Sequence, residues 1–285
     1  EWLEEMGLRF HGPSPEPPNR VPRMHNVIPG ARAYIGALQD RLQTCGGRVV
    51  CDADVVQILR DKQGVTGVVA LIDGHEQNLL ARRGVVMAAG DYTNSADLIS
   101  RFKGERFSGV EGINPRSTGH GHTLCEQAGA QLLNMDITYG PELRFVAPEG
   151  RGSLQKMIPS RGPLASLVGK LVPLVPDRLM ARFVRRLLVT WQHPEDALLE
   201  DGAILLNEDG ERFCDERLSP EREIAIAAQP GKRCFLLLDE ALISRYSAWP
   251  HFISTAPRIA YAYVDDYLRL RPDVAVAGRL EEVTD

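Results

Sequence analysis

The amino-acid sequence predicts a protein of the α/β class, and three observations support this prediction. The apolar run Val85–Met87 is short and ends in small residues, which is typical of a strand buried on both faces of a parallel sheet. Apolar residues near helical spacing predict a helix over residues 30–45. Two runs rich in Val, Ile and Leu, 55–59 and 65–72, predict strands joined by a hairpin turn at 61–64.

The remaining elements follow from the same patterns and from the positions of Gly and Pro. In chain order they are a helix at 1–10, an irregular Pro-rich segment at 11–30, helices at 95–102 and 121–130, two short helices within 164–188 separated by prolines, and strands at 203–206 and 234–238. The composition changes near residue 136, where a stretch rich in Gly, Pro and charged residues begins. A change of this kind predicts a second domain.

Composition restricts the classes of function. The chain has 285 residues, 44% hydrophobic and 25% charged, with a net charge of −5. These values are typical of a globular protein and offer no electrostatic basis for nucleic-acid binding. No apolar run approaches the roughly 18 residues of a membrane span. The five cysteines are scattered and odd in number, which predicts reduced thiols and a cytoplasmic location. The pair His120 and His122 lacks a third ligand nearby, so no metal site is expected.

The first candidate binding segment follows the predicted strand at Val85–Met87. Ala88, Ala89 and Gly90 are small enough to let a ligand or another backbone approach closely. Open α/β sheets bind ligands at the carboxyl ends of their strands, and Asn94 lies a few residues further on. The alternative is an ordinary core strand that ends in a tight turn.

The second candidate segment is the turn Thr118-Gly-His-Gly121, which leads into a helix. The first N–H groups of a helix have no partner within the helix, so they form a natural site for an electron-rich ligand edge. Glycine allows the backbone to come close to such a ligand. The alternative is a simple helix cap.

A third segment, Asn207-Glu-Asp-Gly-Glu-Arg-Phe-Cys-Asp-Glu216, combines a strong turn signal with an Arg and a Glu. From the residues alone it is a hairpin with an exposed salt bridge.

These three segments together resemble the flavoprotein family of fumarate reductases, succinate dehydrogenases and 3-ketosteroid dehydrogenases. That family usually has Ala-Thr-Gly-Gly where this chain has Ala88–Asp91, followed by an Asn. It has Thr-Gly-Asp-Gly at Thr118–Gly121, with His120 in place of the Asp, so one polar contact beside the flavin is in doubt. Its capping domain carries Asn-x-x-Gly-x-Arg-Phe, which matches Asn207–Phe213.

The resemblance implies a partial Rossmann-like FAD-binding domain, its second half, at residues 1–137. An α+β capping domain would occupy 138–285, with a variable, partly amphipathic insertion at 142–200. The implied cofactor is FAD, and the implied reaction is hydride transfer between the flavin and an activated C–C bond of a small hydrophobic substrate. The residues implied to bind the cofactor are Val55 and Val56 near the adenine, Ala88, Ala89, Gly90, Asn94, Thr118, Gly119, His120 and Gly121.

Two parts of the family pattern are missing. No Gly-x-Gly-x-x-Gly follows a strand, and the family's last flavin-binding segment has no counterpart. We therefore expect an internal portion of a longer flavoprotein, the alternative being a degenerate protein that stands alone. The corresponding alternative in function is a non-catalytic interaction or regulatory module that retains the scaffold of the capping domain.

The resemblance gives little support for a particular catalytic residue. Ser219 and Pro220 stand about where fumarate reductases have an Arg proton donor, so Arg222 is a shifted candidate and a surface arginine at a helix start is the alternative. Tyr139 is a candidate active-site phenol, with a core or interface tyrosine as the alternative.

Arginines alternate with apolar residues along 164–188. This pattern predicts an amphipathic element that could contact a membrane surface. An internal packing helix or a contact between subunits has the same pattern, and the sequence leaves the oligomeric state open.

Overall fold

The computed structural model describes residues 1–14, 19–28, 30–148, 167, 171, 175–257 and 259–278. These residues form two compact units, each built from separate stretches of chain. Unit 1 contains Glu1–Arg48, Leu143–Ile204 and Leu237–Asp285, and unit 2 contains Val49–Glu142 and Leu205–Leu236. The mixture of helices and strands confirms the predicted class. The predicted division into domains at 1–137 and 138–285, with an insertion at 142–200, stays a prediction.

The N-terminal part of unit 1 is a β-hairpin followed by a helix. Helix α1 is Trp2–Glu5, strands β1 and β2 are Arg9–Ser14 and Met24–Ile28, and helix α2 is Arg32–Thr44. Helix α2 confirms the prediction, but the predicted helix over 1–10 is shorter than expected. The predicted irregular segment was wrong at 11–14 and 24–28, where the two strands form. The two strands pair antiparallel with an irregular register between His11 and Ser14. Pro13 lies at this irregularity. Proline has no backbone N–H to donate, and at an irregular position the pairing of the two strands does not need one.

The remainder of unit 1 packs around the end of a long helix. Helices α5 (Asp177–Trp191), α6 (Asp196–Glu200), α8 (Glu240–Arg245) and α9 (Val264–Leu270) and strands β8 (Ser254–Ala256) and β9 (Ala260–Ala262) belong to it. The buried Arg271 donates from Nη1 to the carbonyl oxygens of Val189 and Thr190, at 2.9 and 3.0 Å. A buried cation at the carboxyl end of a helix satisfies carbonyl groups that have no partner within the helix. This contact fixes the end of α5.

Unit 2 is built on a three-stranded antiparallel meander. Its strands are β3 Ala53–Arg60, β4 Val65–Ile72 and β5 His75–Leu80. The first two confirm the predicted hairpin. The carboxylate of Asp61 accepts hydrogen bonds from the N–H groups of Gln63 and Gly64 at 2.7 and 3.1 Å, which is the local turn chemistry expected of Asp. Strand β5 was not predicted, because its residues are mostly polar and all exposed.

The predicted strand at Val85–Met87 was wrong. The residues there have no strand geometry, and Val86 is 89% exposed. A strand exists only where a neighbouring strand supplies hydrogen-bond partners, and none of the described strands pairs with this run. An apolar run can indicate that a segment is buried, but it carries no information on whether a neighbouring strand is present to pair with it.

Two predicted helices follow in unit 2. Helix α3 is Ala96–Phe102, a short 3₁₀ turn occupies Glu105–Phe107, and helix α4 is His120–Gln127. The Ser95 hydroxyl caps α3 by accepting a hydrogen bond from the Leu98 N–H at 3.4 Å. Tyr92, Leu98 and Met135 form a buried apolar cluster beneath these elements.

The segment Asn207–Glu216 forms the predicted turn and a buried ion pair. Strands β6 (Ile204–Leu206) and β7 (Phe235–Leu237) pair beside it, and helix α7 (Glu221–Ala227) follows. Glu216 is only 2% exposed. Its carboxylate accepts hydrogen bonds from the Leu205 N–H at 2.9 Å and from Arg212 Nη2 at 2.6 Å. These bonds tie the end of the hairpin to its first strand, so this salt bridge is buried on the carboxylate side rather than exposed.

The predicted amphipathic region 164–188 is described only in part. Helix α5 falls within its second half and extends to Trp191. The predicted helix break at Pro173 lies outside the described residues. Over the described part of the chain, no helix is both long and apolar enough to cross a membrane.

The substitution Glu216→Gln should destabilise the protein by about 2 kcal/mol at neutral pH, because charge-assisted hydrogen bonds to a buried carboxylate contribute roughly that much. Burial raises the pKa of Glu216, but hydrogen bonds from Arg212 and from the Leu205 N–H outweigh it, so the net pKa is below its usual value. A group with a lowered pKa stabilises the fold above its unfolded pKa, and this contribution disappears as the pH falls through the folded pKa. Urea unfolding followed by circular dichroism should show the difference at pH 7 and a smaller one below about pH 4.

The control for this experiment is Glu211→Gln, which removes the same charge from an exposed position of the same hairpin. It should leave the unfolding free energy nearly unchanged. Equal effects of the two substitutions would contradict a specific role for the buried Glu216 carboxylate.

Candidate functional site

Two turns that the sequence singled out separately lie side by side in unit 2. The Asn94 N–H donates to the Ser117 carbonyl oxygen at 2.8 Å, and the Gly119 N–H donates to the Asp91 carbonyl oxygen at 3.0 Å. Ser117 is buried between them. These hydrogen bonds bring the segment 88–94 against the start of helix α4.

Gly119 and Gly121 are required by this close approach. Gly119 is the N-cap of α4 in the left-handed conformation, with φ 70° and ψ 12°, and a Cβ there would lie 2.9 Å from the Tyr92 Cβ. A Cβ on Gly121 would lie 2.9 Å from the Ala89 Cβ and 3.0 Å from the Met87 Sδ. Only glycine fits at either position without displacing the neighbouring segment.

Polar side chains fix the shape of the first turn. The Asp91 carboxylate accepts hydrogen bonds from the Thr93 N–H at 2.9 Å and from its hydroxyl at 2.7 Å. These bonds hold the pKa of Asp91 below its usual value. The Asn94 side chain donates to the Asn114 carbonyl oxygen at 2.6 Å and accepts from the Gly112 N–H at 3.0 Å. Asn94 therefore holds the loop 112–114 in this structure, and its predicted contact with the cofactor stays a prediction.

His120 connects α4 to the meander. Its Nε2 donates to the Val55 carbonyl oxygen at 2.6 Å and lies 3.8 Å from Asp54 Oδ1. The Asp that the resemblance implies at this position would be an acceptor and could not bond a carbonyl. His120, which stands where the family has Asp, thus joins two of the predicted site segments, the one at Val55 and the one at the start of α4.

An open cleft of about 500 Å³ lies beside this connection. Its lining residues are Val56, Gln57, Ile58, Arg60, Val69, Glu76, Leu124, Gln127 and Ala128. Val56 was a predicted cofactor contact. Arg60 was not predicted; it lies in strand β3 and donates to the Ala128 carbonyl oxygen at the end of α4. No sequence signal would have found this contact between residues so far apart in the chain. By contrast, Asp91 with Thr93 has the spacing of a local Asx turn and was readable.

The residues present fit an electron-rich planar ligand such as a flavin. The first turn of α4 has no side-chain cap, so its N–H groups remain available to a ligand. Ala88, Ala89 and Gly90 are exposed next to it, and Thr118 is exposed at the turn. Gly90 has φ 86°, and a Cβ there would meet only the Ser117 hydroxyl, at 4.0 Å. Backbone and small side chains therefore form an open edge that a ligand can approach closely.

The two catalytic candidates are placed very differently. Tyr139 is 99% exposed and makes no hydrogen bond with any described residue, so a core tyrosine is excluded. Arg222 is buried, which excludes a surface arginine. Its Nε donates to Glu223 Oε1 at 2.8 Å and its Nη1 to the Glu216 carbonyl oxygen at 2.8 Å. Catalytic roles for both residues stay predictions.

Comparison with known proteins places the chain among FAD-binding proteins. The chain belongs to the FAD binding domain family, whose model matches residues 1–145, about half of the chain. FAD is the cofactor that this family binds, which confirms the cofactor predicted from the sequence.

Relatives and a solved structure agree with this assignment. The NADH:acrylate oxidoreductase of Vibrio harveyi is 29% identical over 143 residues, covering 47% of this chain and 14% of the relative. The NADH:fumarate oxidoreductase of Klebsiella pneumoniae (strain 342) is 21% identical over 258 residues, covering 89% of this chain and 23% of the relative. The open conformation of a flavocytochrome c3 fumarate reductase superposes with a TM-score of 0.55 at 20% identity, covering 86% of this chain and 37% of that one.

The solved structure therefore supports the fold. The chain spans well under half of the length of each of these relatives. The predicted membership in a family of fumarate reductase type is confirmed.

The substitution Gly121→Ala should open the contact between α4 and residues 87–89. Because the Ala89 Cβ cannot move away by rotating, the helix must shift, at a cost of about 1–3 kcal/mol. The helix preference of Ala offsets up to about 1 kcal/mol of this. Thermal unfolding should show a net loss of stability, and titration with FAD should show weaker binding.

Gly109→Ala is the matched control, since a Cβ on Gly109 meets nothing within 4 Å. If both variants bound FAD as tightly as the wild type, the close approach at Gly121 would have no part in the site.

Proposed function

We propose that this chain contributes one side of an FAD site in an oxidoreductase that transfers a hydride between the flavin and an activated C–C bond. Membership in the FAD binding domain family supports the cofactor. The names of the relatives, acrylate and fumarate oxidoreductases, support the reaction class.

One observation carries the proposal. Segments that are implied to bind FAD, although distant in the sequence, meet at one edge of unit 2. Val55 contacts His120, Gly121 lies against Ala89, and Gly119 is hydrogen-bonded to Asp91. A non-catalytic module has no evident need for an uncapped helix start that faces small, exposed residues.

The residues of this chain would bind and orient the cofactor. When bound, FAD supplies the hydride chemistry through its ring system. The N–H groups at the start of α4 would bind an electron-rich edge of the ring. The exposed backbone at Ala88–Gly90 would allow close contact, and His120 would hold strand β3 at the distance the site requires. Tyr139, if its phenol hydrogen reaches the substrate, would supply or remove the second hydrogen as a proton.

We further propose a small, hydrophobic substrate. The relatives' names give small-molecule substrates for those proteins, and the resemblance to ketosteroid dehydrogenases implies a hydrophobic one. Contact of residues 164–188 with a membrane surface is a separate proposal, because it concerns a different helix and a different kind of ligand.

The direct test is the colour of the complete protein that contains this chain. It should purify with a flavin absorbance band at roughly 450 nm, as expected of bound FAD. Reduction by a nicotinamide or dithionite should bleach this band, and an unsaturated acid or ketosteroid should restore it. A colourless protein that takes up no added FAD would contradict the proposal.

The substitution His120→Ala should weaken FAD binding by roughly fivefold, because it removes one hydrogen bond that fixes strand β3 against α4. Fluorescence titration of the apoprotein with FAD would measure this change. The control His75→Ala removes an exposed histidine from the neighbouring strand β5 and should have no effect. Equal affinities of the two variants would remove His120 from the site.

The substitution Tyr139→Phe tests the phenol directly. Since Tyr139 is exposed, the melting temperature should not change. Loss of an acid or base typically lowers kcat by a hundredfold or more, and stopped-flow measurement of flavin reoxidation would detect this. Unchanged kcat would eliminate Tyr139. Arg222 is a poorer target, because replacing a buried arginine that bonds Glu223 would also destabilise the fold.

A further inference from the structure

Positive charge is concentrated in one stretch of this acidic chain. Residues 151–192 contain eight Lys or Arg and one Asp, a net charge of +7, whereas the whole chain has a net charge of −5. Helix α5 carries four of these arginines. Helix α5 belongs to unit 1, and the candidate flavin site belongs to unit 2.

Three of the four arginines of α5 are exposed, whereas the fourth forms an ion pair within unit 1. Arg178, Arg182 and Arg186 are spaced four residues apart and are all exposed, so they form one ridge. None of the three makes an ion pair with a residue that the structure describes. Arg185 instead faces the protein, with its Nε 3.7 Å from Asp266 Oδ2.

Exposed apolar side chains lie directly beside the arginine ridge. Leu179 and Phe183 follow Arg178 and Arg182 in the sequence and are 58% and 51% exposed. Because these two residues are spaced four apart, they form one apolar strip on the exposed helix face. The carboxyl-terminal end of the helix is anchored in unit 1, where Leu188 and Val189 are buried.

We propose that the face formed by Arg178, Leu179, Arg182, Phe183 and Arg186, here called the α5 face, docks on an anionic lipid surface. Lipid headgroups carry negative charge that complements the exposed arginine ridge, and the acyl boundary accepts Leu and Phe side chains. A second copy of the chain fits this face poorly, since a two-fold contact would place the same arginines against one another.

Vesicle co-sedimentation tests this proposal with the intact chain. The wild type should bind vesicles of phosphatidylcholine and phosphatidylserine at low salt, and bind pure phosphatidylcholine vesicles much more weakly. The triple variant Arg178→Gln, Arg182→Gln, Arg186→Gln should lose on the order of a hundredfold in partition coefficient, since each basic residue near the surface contributes about a fivefold factor.

The matched control removes three exposed arginines of the N-terminal part of unit 1, Arg32, Arg41 and Arg48, by the same change to Gln. It loses the same net charge and should retain binding. A second variant, Leu179→Ser with Phe183→Ser, should weaken vesicle binding. The binding that remains should be more sensitive to salt, because it depends on the arginines. Since these side chains are exposed, circular dichroism and the melting temperature should stay those of the wild type.

Five results would overturn the proposal. One is absence of binding by the wild type, and another is equal binding of both vesicle types. Equal losses in the triple variant and in the control at Arg32, Arg41 and Arg48 would indicate an effect of net charge alone. Binding to soluble heparin but not to vesicles would assign the α5 face to an acidic macromolecule, and a dimer that the triple variant abolishes would assign it to a second copy.

Discussion

The candidate site depends on two backbone hydrogen bonds, from Asn94 to Ser117 and from Gly119 to Asp91. They join turns that lie more than twenty residues apart, and they determine where helix α4 begins. Gly119 must adopt a left-handed conformation for its N–H to reach Asp91, which leaves the helix start without a capping side chain. The availability of its N–H groups to a ligand therefore follows from backbone geometry. Polar side chains such as Asp91 and Asn94 serve mainly to fix the turns.

Local chemistry accounts for what the sequence predicted correctly. The turn at Asp61 and the start of helix α3, which Ser95 caps, depend on bonds to residues two or three positions away, so their signals are complete in short windows. The strand at Val85–Met87 failed because its formation depends on a neighbour elsewhere. The hairpin of β1 and β2 was missed because Pro13 suggested irregular chain, while the bulge that accommodates it was invisible.

The same distinction applies to the site. Its glycines were found from a local pattern, and the resemblance to flavoproteins gave them a role. The contact of His120 with Val55 spans 65 residues and that of Arg60 with Ala128 spans 68, so neither could be read from spacing. His120 shows the limit of inference from a family pattern. The presence of His instead of Asp suggested that a contact with the flavin is lost. In the structure, this His forms a hydrogen bond with Val55 of the meander.

The discontinuity of unit 2 has a consequence for how the protein is synthesised. Its two stretches are joined by Arg106 with Glu221 and by Lys232 with Glu111, at separations of 115 and 121 residues. On the ribosome, the first stretch is made well before its partner, and residues 143–204 emerge in between. Contacts this distant form slowly because a long loop must close first. The first stretch of unit 2 must therefore wait, partly unprotected, for the second stretch, which makes this interval the one in which chaperone assistance matters most.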